Sequence, residues 1–421
     1  MVNSQYSNGR KAIFAWALYD LANTIFSLNI VSIHFGLWVV NDMGANDSIY
    51  GYATVISMLL VLATAPMLGT MSDRSGRRIP FLVATTLCCV FLTMLLGVGG
   101  LVPSLTIFIG ANYMFQSGLI FYDALLPTVA RDRDVGKIGS FGVGVGYIGS
   151  LIAATTGILL IDSVGHIGMF KVSALLFLVF SIPCFIFVKE RGSRNLGLKF
   201  SVIQGSVHQL FRTLARTREY PGLSRFLIGR IFYADAINTL IIFIGIYVTN
   251  ELGFTDGELQ FLLLIAIISS IIGAFIWGFI VDFIGPKRTL NLVLYLWVFV
   301  LGGIAVIPIM DFDNTVLWFT APLAGIAIGG TWCADRPYLL RLAPPEHVGE
   351  FFGVYSIVGR FASIIGPLVW VLVADTLGLG RPFAVVALII FIMISYAILR
   401  GVDDKPRCRT SAIVGQFSSL K

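Results

Sequence analysis

Apolar stretches of about 20 residues recur along this chain, and for most of its length only short polar connections separate them. A helix of about 20 apolar residues spans the hydrocarbon of a bilayer. In lipid every backbone N–H and C=O must be satisfied inside the segment, so stretches of this length form helices. The spacing predicts twelve membrane helices, over 12–39, 49–71, 79–99, 104–128, 139–161, 167–188, 222–249, 258–281, 288–309, 316–341, 350–375 and 381–400. Composition agrees: 57% of the 421 residues are hydrophobic and 12% are charged, against about 25% charged in soluble domains. The first apolar run follows a polar decapeptide and is too long for the h-region of a cleavable signal, so it is expected to stay as the first membrane helix.

The loops set an orientation. One side carries RSGRR (74–78), RDRDVGK (131–137), a long basic 189–220 segment, GPKR (285–288) and RLAPPEH (341–347). The other carries NDMGANDS (41–48), GLVPS (100–104), IDSVGH (161–166), TNELGFTDGE (249–258) and MDFDN (310–314), with only Lys171 and Arg381 as bases. The positive-inside rule makes the basic loops and both termini cytoplasmic, as expected for a bacterial plasma-membrane protein. The expected layout is a six-helix bundle over 1–188, a cytoplasmic linker over 189–221, and a second six-helix bundle with a short tail over 222–421. Within the linker Val202, Val207, Leu210, Phe211 and Leu214 have helical spacing beside Arg212, Arg216 and Arg218, which predicts a lateral amphipathic helix on the membrane surface.

The halves repeat. Asp20, Asn23 and Thr24 return 215 positions later as Asp235, Asn238 and Thr239. On a helix, positions i, i+3 and i+4 share a face, so each copy projects a polar cluster to one side. A carboxylate near the centre of a bilayer costs roughly 2.5–3.5 kcal/mol on insertion scales, which marks both aspartates as functional candidates. Asp73 and Asp282 repeat likewise, as do Gly136 and Gly349, and Lys171 and Arg381.

Several function classes drop out. The five cysteines show no CxxC spacing, so neither a disulfide framework nor a metal site is expected. No phosphate loop or HExxH signature is present, so no enzyme and no cofactor is expected. The basic residues lie between apolar segments rather than on one patch, so no nucleic acid is expected as a partner.

Gly69-Thr70-Met71-Ser72-Asp73-Arg74-Ser75-Gly76-Arg77-Arg78 resembles the G-x-x-x-D-R-x-G-R-R/K signature of the major facilitator superfamily, and Gly278, Asp282, Gly285, Lys287 and Arg288 form a worn second copy. WALYDLANTIF (16–26), FYDALLP (121–127), GSFGVGVGYIGS (139–150), Gly329-Gly330-Thr331 and FFGVYSIVGRFASIIGP (351–367) are similar to the vacuole-effluxer-like branch. That branch includes bacterial members and yeast vacuolar amino-acid effluxers. Where bacterial members carry Ser-Arg after the Gly-Gly-Thr step, this chain has Asp335-Arg336. The resemblance implies an all-α membrane protein with the major facilitator fold: twelve helices in two pseudo-symmetric six-helix bundles. It also implies that helices 1, 4, 7 and 10 line a central cavity.

On those helices lie Asp20, Asn23 and Thr24; Gln116 and Asp123; Asp235 and Asn238; and Trp332, Asp335 and Arg336. These are the candidate proton-coupling and substrate residues. Gly69, Asp73, Arg74, Gly76, Arg77, Arg78, Asp282, Lys287 and Arg288 are the candidate gating latch. The expected function is proton-coupled secondary transport of an amino-acid-like or short peptide-like solute by alternating access. Arg336 would grip a substrate carboxylate through its planar fork. A small solute, protons and the bilayer are the expected partners of a monomer. The alternatives are a cation-coupled sugar symporter and a non-transporting receptor or assembly factor on the same scaffold.

Overall fold

The computed structural model describes residues 9–130, 135–190, 217–220, 222–343 and 348–402, and among them all regular structure is helical. The first rod, α1, is α-helical over Arg10–Phe26, π-helical over Ser27–His34, α-helical over Phe35–Leu37 and π-helical again over Trp38–Asp42. The Ser32 hydroxyl donates to the carbonyl of Ser27, five residues back, at 3.1 Å. That is the wide spacing of a π-turn. Next come α2 (Asp47–Ser75), α3 (Ile79–Met94) and α4 (Leu101–Val129).

Val135–Phe187 is helical throughout except at Gly165, whose φ of 63° and ψ of −177° turn the chain. This conformation is open in practice only to glycine, so one residue does the work of the loop expected over 161–166. The rod before it is α5 (135–164) and the rod after it α6 (166–187). The second half has α7 (Leu223–Asn250), α8 (Asp256–Ile284), α9 (Pro286–Ile309) and α10 (Thr315–Leu342). It ends with α11 (Val348–Phe361, prolonged by Ile365–Val371 and a π-helical Leu372–Thr376) and α12 (Arg381–Arg400).

Ten of the described stretches are long and apolar enough to cross a membrane, with α5 and α6 taken together as one. At 16 residues, α3 falls short of a crossing and of its expected span over 79–99. Its start is fixed by the Glu190 carboxylate, which accepts from the backbone N–H of Arg78 and Ile79 at 2.6 and 2.7 Å, satisfying two orphan donors of the first turn. The expected lateral helix of the linker lies outside the described residues.

The rods pack mainly within each half. α1 lies against α5–α6, and α4 against α2 and α3; in the second half α10 lies against α8 and α9, and α12 against α7 and α9. Glycines set the closest approaches. A Cβ at Gly149 of α5 would sit 2.4 Å from the Leu21 carbonyl oxygen of α1, and one at Gly325 of α10 would sit 2.0 Å from that of Ala266 in α8. Small residues admit this backbone proximity. The outward face of α8 carries Phe275, Phe279 and Phe283, all more than 70% exposed, a stripe suited to lipid and not to water.

Candidate functional site

Between the halves lies a cavity of about 380 Å³, walled by α1 and α5 on one side and by α7, α8 and α10 on the other, with Trp297 and Ile304 of α9. Its two walls differ in chemistry. The first half contributes Asp20, Thr24, Ser27 and Ser32 from α1, and Tyr147 and Ser150 from α5. The second contributes chiefly Leu, Ile, Val and Ala side chains, with Trp297, Trp332 and one hydroxyl, Ser270, which faces Tyr147 across the gap. Among the described residues Asp20 is the only carboxylate on the wall, and no Lys, Arg or His joins it.

Asp20 owes its room to Gly146. A Cβ there would stand 2.9 Å from Asp20 Oδ2 and 3.2 Å from Thr24 Oγ1. The Thr24 hydroxyl donates back to the Asp20 carbonyl at 2.9 Å, leaving the carboxylate for the cavity. The π-wound turn then carries Ser27, Ser32 and Ile33 along the same wall. Asn23 is buried away from it, with both amide atoms unpartnered among the described residues.

The second copy of the motif is enclosed. Asp235 is fully buried and accepts from the backbone N–H of Gly366 in α11 at 2.7 Å. Asn238 donates to the Ala362 carbonyl and the Ser363 hydroxyl, each at 2.9 Å. This face therefore seams α7 to α11, and neither residue is on the cavity wall.

Asp335 is also enclosed. Its carboxylate accepts from Arg230 Nε at 3.0 Å, from the Tyr355 hydroxyl at 2.6 Å and from the Tyr233 hydroxyl. The Arg230 guanidinium lies 3.6 Å over the Tyr355 ring and donates to its backbone carbonyl. Asp335 thus neutralises Arg230 rather than its neighbour Arg336, which is exposed.

Arg336 and Asp123 sit six residues before the basic-loop ends of α10 and α4, about 9 Å deep at 1.5 Å per residue. Asp20 is about 15 Å deep by the same measure, ten residues from the start of α1. Asp123 lies within electrostatic reach of both Asp20 and Arg336, and Arg336 within reach of both acids. Asp123 also meets Arg360 of α11 at 3.8 Å, across the halves. The basic-loop side of the cavity is therefore flanked by two acids from the first half and two arginines from the second. Gln116 is half-buried and off the wall.

The candidate latch residues lie at the basic-loop ends. Gly69, Asp73 and Arg74 are in the last turns of α2, Gly76 terminates it at φ 61°, and Arg77 and Arg78 lead into α3. The side-chain part of the expectation for Asp73 and Arg74 lies outside the described residues. Lys287 donates to the carbonyls of Arg400 and Val402, a contact inside the second half. Asp282 is in the last turn of α8 and Arg288 in the first turn of α9.

The acidic-loop end is bolted across the halves. Arg381 of α12 grips Asp47 of α2 with two donors at 2.9 Å each, Trp370 adds a third at 3.2 Å, and the Ser48 N–H donates to Asp375 at 2.6 Å. Sequence reasoning treated Asp47 as loop and Arg381 as a charge outlier, and it missed Tyr147, Ser150 and Ser270. The adjacent hydroxyls of Ser269 and Ser270 in an otherwise apolar run are the one signal that could have pointed to the second wall.

Comparison with known proteins places the chain in a family. Residues 37–411 match the family described as vacuole effluxer Atg22 like. The chain is 28% identical over 416 residues, covering 93% of it and 94% of the relative, to the uncharacterized MFS-type transporter YxiO of Bacillus subtilis. It is 26% identical over 308 residues to autophagy-related protein 22-1 of Aspergillus fumigatus, of which the match spans 50%. Among solved structures, the nucleoside transporter NupG superposes with a TM-score of 0.72 at 10% identity, covering 93% of this chain and all of that one. The D-xylose–proton symporter does so at 0.71 and 13%, covering 94% and 98%. The two-walled cavity between two helical halves is thus set in a major facilitator fold, and this integral multi-pass membrane protein belongs to the vacuole effluxer Atg22-like family of transporters.

Proposed function

We propose that this chain is a proton-coupled secondary transporter of amino acids with apolar side chains. The observation that carries the reading is the asymmetry of the cavity: one carboxylate with hydroxyls on one wall, a large aliphatic and aromatic surface on the other. A substrate ammonium would sit on Asp20 beside Thr24 and Ser27, and its side chain would lie against α7, α8 and α10. Its carboxylate would point to the basic-loop side, within reach of Arg336. Asp20 would hold either a proton or the ammonium, so proton and solute compete for one group and their gradients become coupled. The bolted acidic-loop end and the charge-flanked basic-loop end fit a conformation open to the basic loops, the cytoplasmic side of a plasma membrane by the positive-inside rule. In the reverse conformation Asp20 would close on Arg336, and the Asp123–Arg360 contact, already 3.8 Å here, would tighten.

The aliphatic wall disfavours a sugar, whose hydroxyls would lose water without hydrogen-bonding partners there. The test is a thermal-shift and counterflow comparison of leucine, leucinamide, glutamate and glucose. Leucine is expected to stabilise the protein, and Arg336→Gln to weaken leucine more than leucinamide. Stabilisation by glucose without any response to leucine would overturn the reading.

A further inference from the structure

Among the contacts that cross the halves at the acidic-loop end, two pair oppositely charged or chargeable side chains, and they differ in kind. Asp47 with Arg381 joins a carboxylate to a guanidinium, which keeps its charge throughout the working pH range. The other contact is a chain of three. His34 Nδ1 of α1 lies 3.3 Å from His166 Nδ1, and His166 Nε2 lies 3.4 Å from Asp256 Oδ2, at the start of α8. His34 and His166 belong to the first half and Asp256 to the second.

His166 follows the Gly165 break directly, so the backbone turn that ends α5 also aims this imidazole at α8. His166 is 6% exposed and Asp256 32%, so a proton reaches the pair from the acidic-loop side through the carboxylate. Asp42 at the end of α1 and Asp162 in α5 lie within electrostatic reach of Asp256. His166 itself meets one imidazole, His34, and one acid, Asp256, and Asp42 and Asp162 flank that acid. With one ring proton, His166 can donate to Asp256 while accepting from His34. With two, it donates to both and places a positive charge between acids of both halves.

We propose that His166 is a proton-binding site, separate from the cavity, whose occupancy locks the two halves together at the acidic-loop end. The protonated form adds attraction only while Asp256 is close, so proton binding and closure favour each other by linkage. The added closure is complete at low pH on that side. It is lost as rising pH on that side removes the second ring proton. Protons outside would thus hold the cavity open to the basic-loop side.

The test reads conformation and needs no transport. Spin labels replacing the exposed Met43 and Phe312 report the separation of the halves at this end. They are measured in lipid nanodiscs at about pH 5 and pH 8, in an Asp20→Asn background that silences the cavity carboxylate. The closed-to-open ratio is expected to fall roughly two- to fivefold on going to the higher pH, the range of a partly exposed ion pair. His166→Gln and Asp256→Asn should each flatten that response. Asp47→Asn should lower closure at both pH values and keep the slope. A pH response that persists in both His166→Gln and Asp256→Asn, or that is absent from the background protein, would overturn the proposal.

Discussion

The two halves carry the same short motif, and they use it in opposite ways. In α1, Asp20 and Thr24 face the cavity past Gly146, and the helix then widens into a π-turn that adds two serines to the wall. In α7, which stays α-helical over Leu223–Asn250, Asp235 and Asn238 are spent on α11: one carboxylate oxygen takes the Gly366 N–H, and one amide takes a carbonyl and a hydroxyl. Both copies meet a glycine on the fifth helix of their own half. At Gly146 the neighbours are the ends of flexible side chains, whereas at Gly366 they include the Asp235 backbone. One copy of a duplicated polar face has kept solvent access and the other has become structure. An intramembrane aspartate is therefore a candidate site only where its own helix turns it to the cavity.

The largest effect should come from the enclosed half. Arg230→Met leaves Asp335 buried without its ion partner, and breaking such a pair costs about 3–5 kcal/mol. The melting temperature should drop steeply, while Arg336→Met one position from the same aspartate should leave it nearly unchanged. Equal drops for both would place Asp335 between the two arginines.

The glycine pair sharpens the contrast at smaller cost. In Gly366→Ala the new methyl would lie 2.0 Å from Thr239 Oγ1 and 3.0 Å from the Asp235 carbonyl oxygen, an overpacking worth about 1–3 kcal/mol. In Gly146→Ala it presses only on the movable ends of Asp20 and Thr24. Substrate affinity should fall with little loss of stability. A stability loss at Gly146 as large as at Gly366 would mean that the first copy is as tightly seamed as the second.

The long apolar runs and the basic loops made the fold readable before any coordinates, because lipid leaves the backbone so few options. The repeat made Asp20 and Asp235 stand out, but residue spacing on an ideal helix could not tell which one opens. That depends on what packs over each copy, Gly146 beside the Asp20 carboxylate and the Gly366 N–H on that of Asp235, and tertiary packing sets both. His34 shows the limit most clearly. It closes the π-wound segment of α1, and its ring meets His166 from a different rod. Asp335 was unreadable for a related reason, since its partner Arg230 is 105 positions away. The aliphatic wall was invisible because leucines facing a cavity and leucines facing lipid look alike in sequence.

The most direct test is proton-gradient-driven leucine flux in proteoliposomes, compared between Asp20→Asn and Asp235→Asn at matched amounts of folded protein. Asp20→Asn should lose the gradient-dependent component while leucine counterexchange persists at a reduced rate. Asp235→Asn, whose side-chain oxygen can still accept from Gly366, should keep its gradient response within a few fold. A full gradient response in Asp20→Asn, or its loss in well-folded Asp235→Asn, would contradict the assignment of the coupling site to the first half.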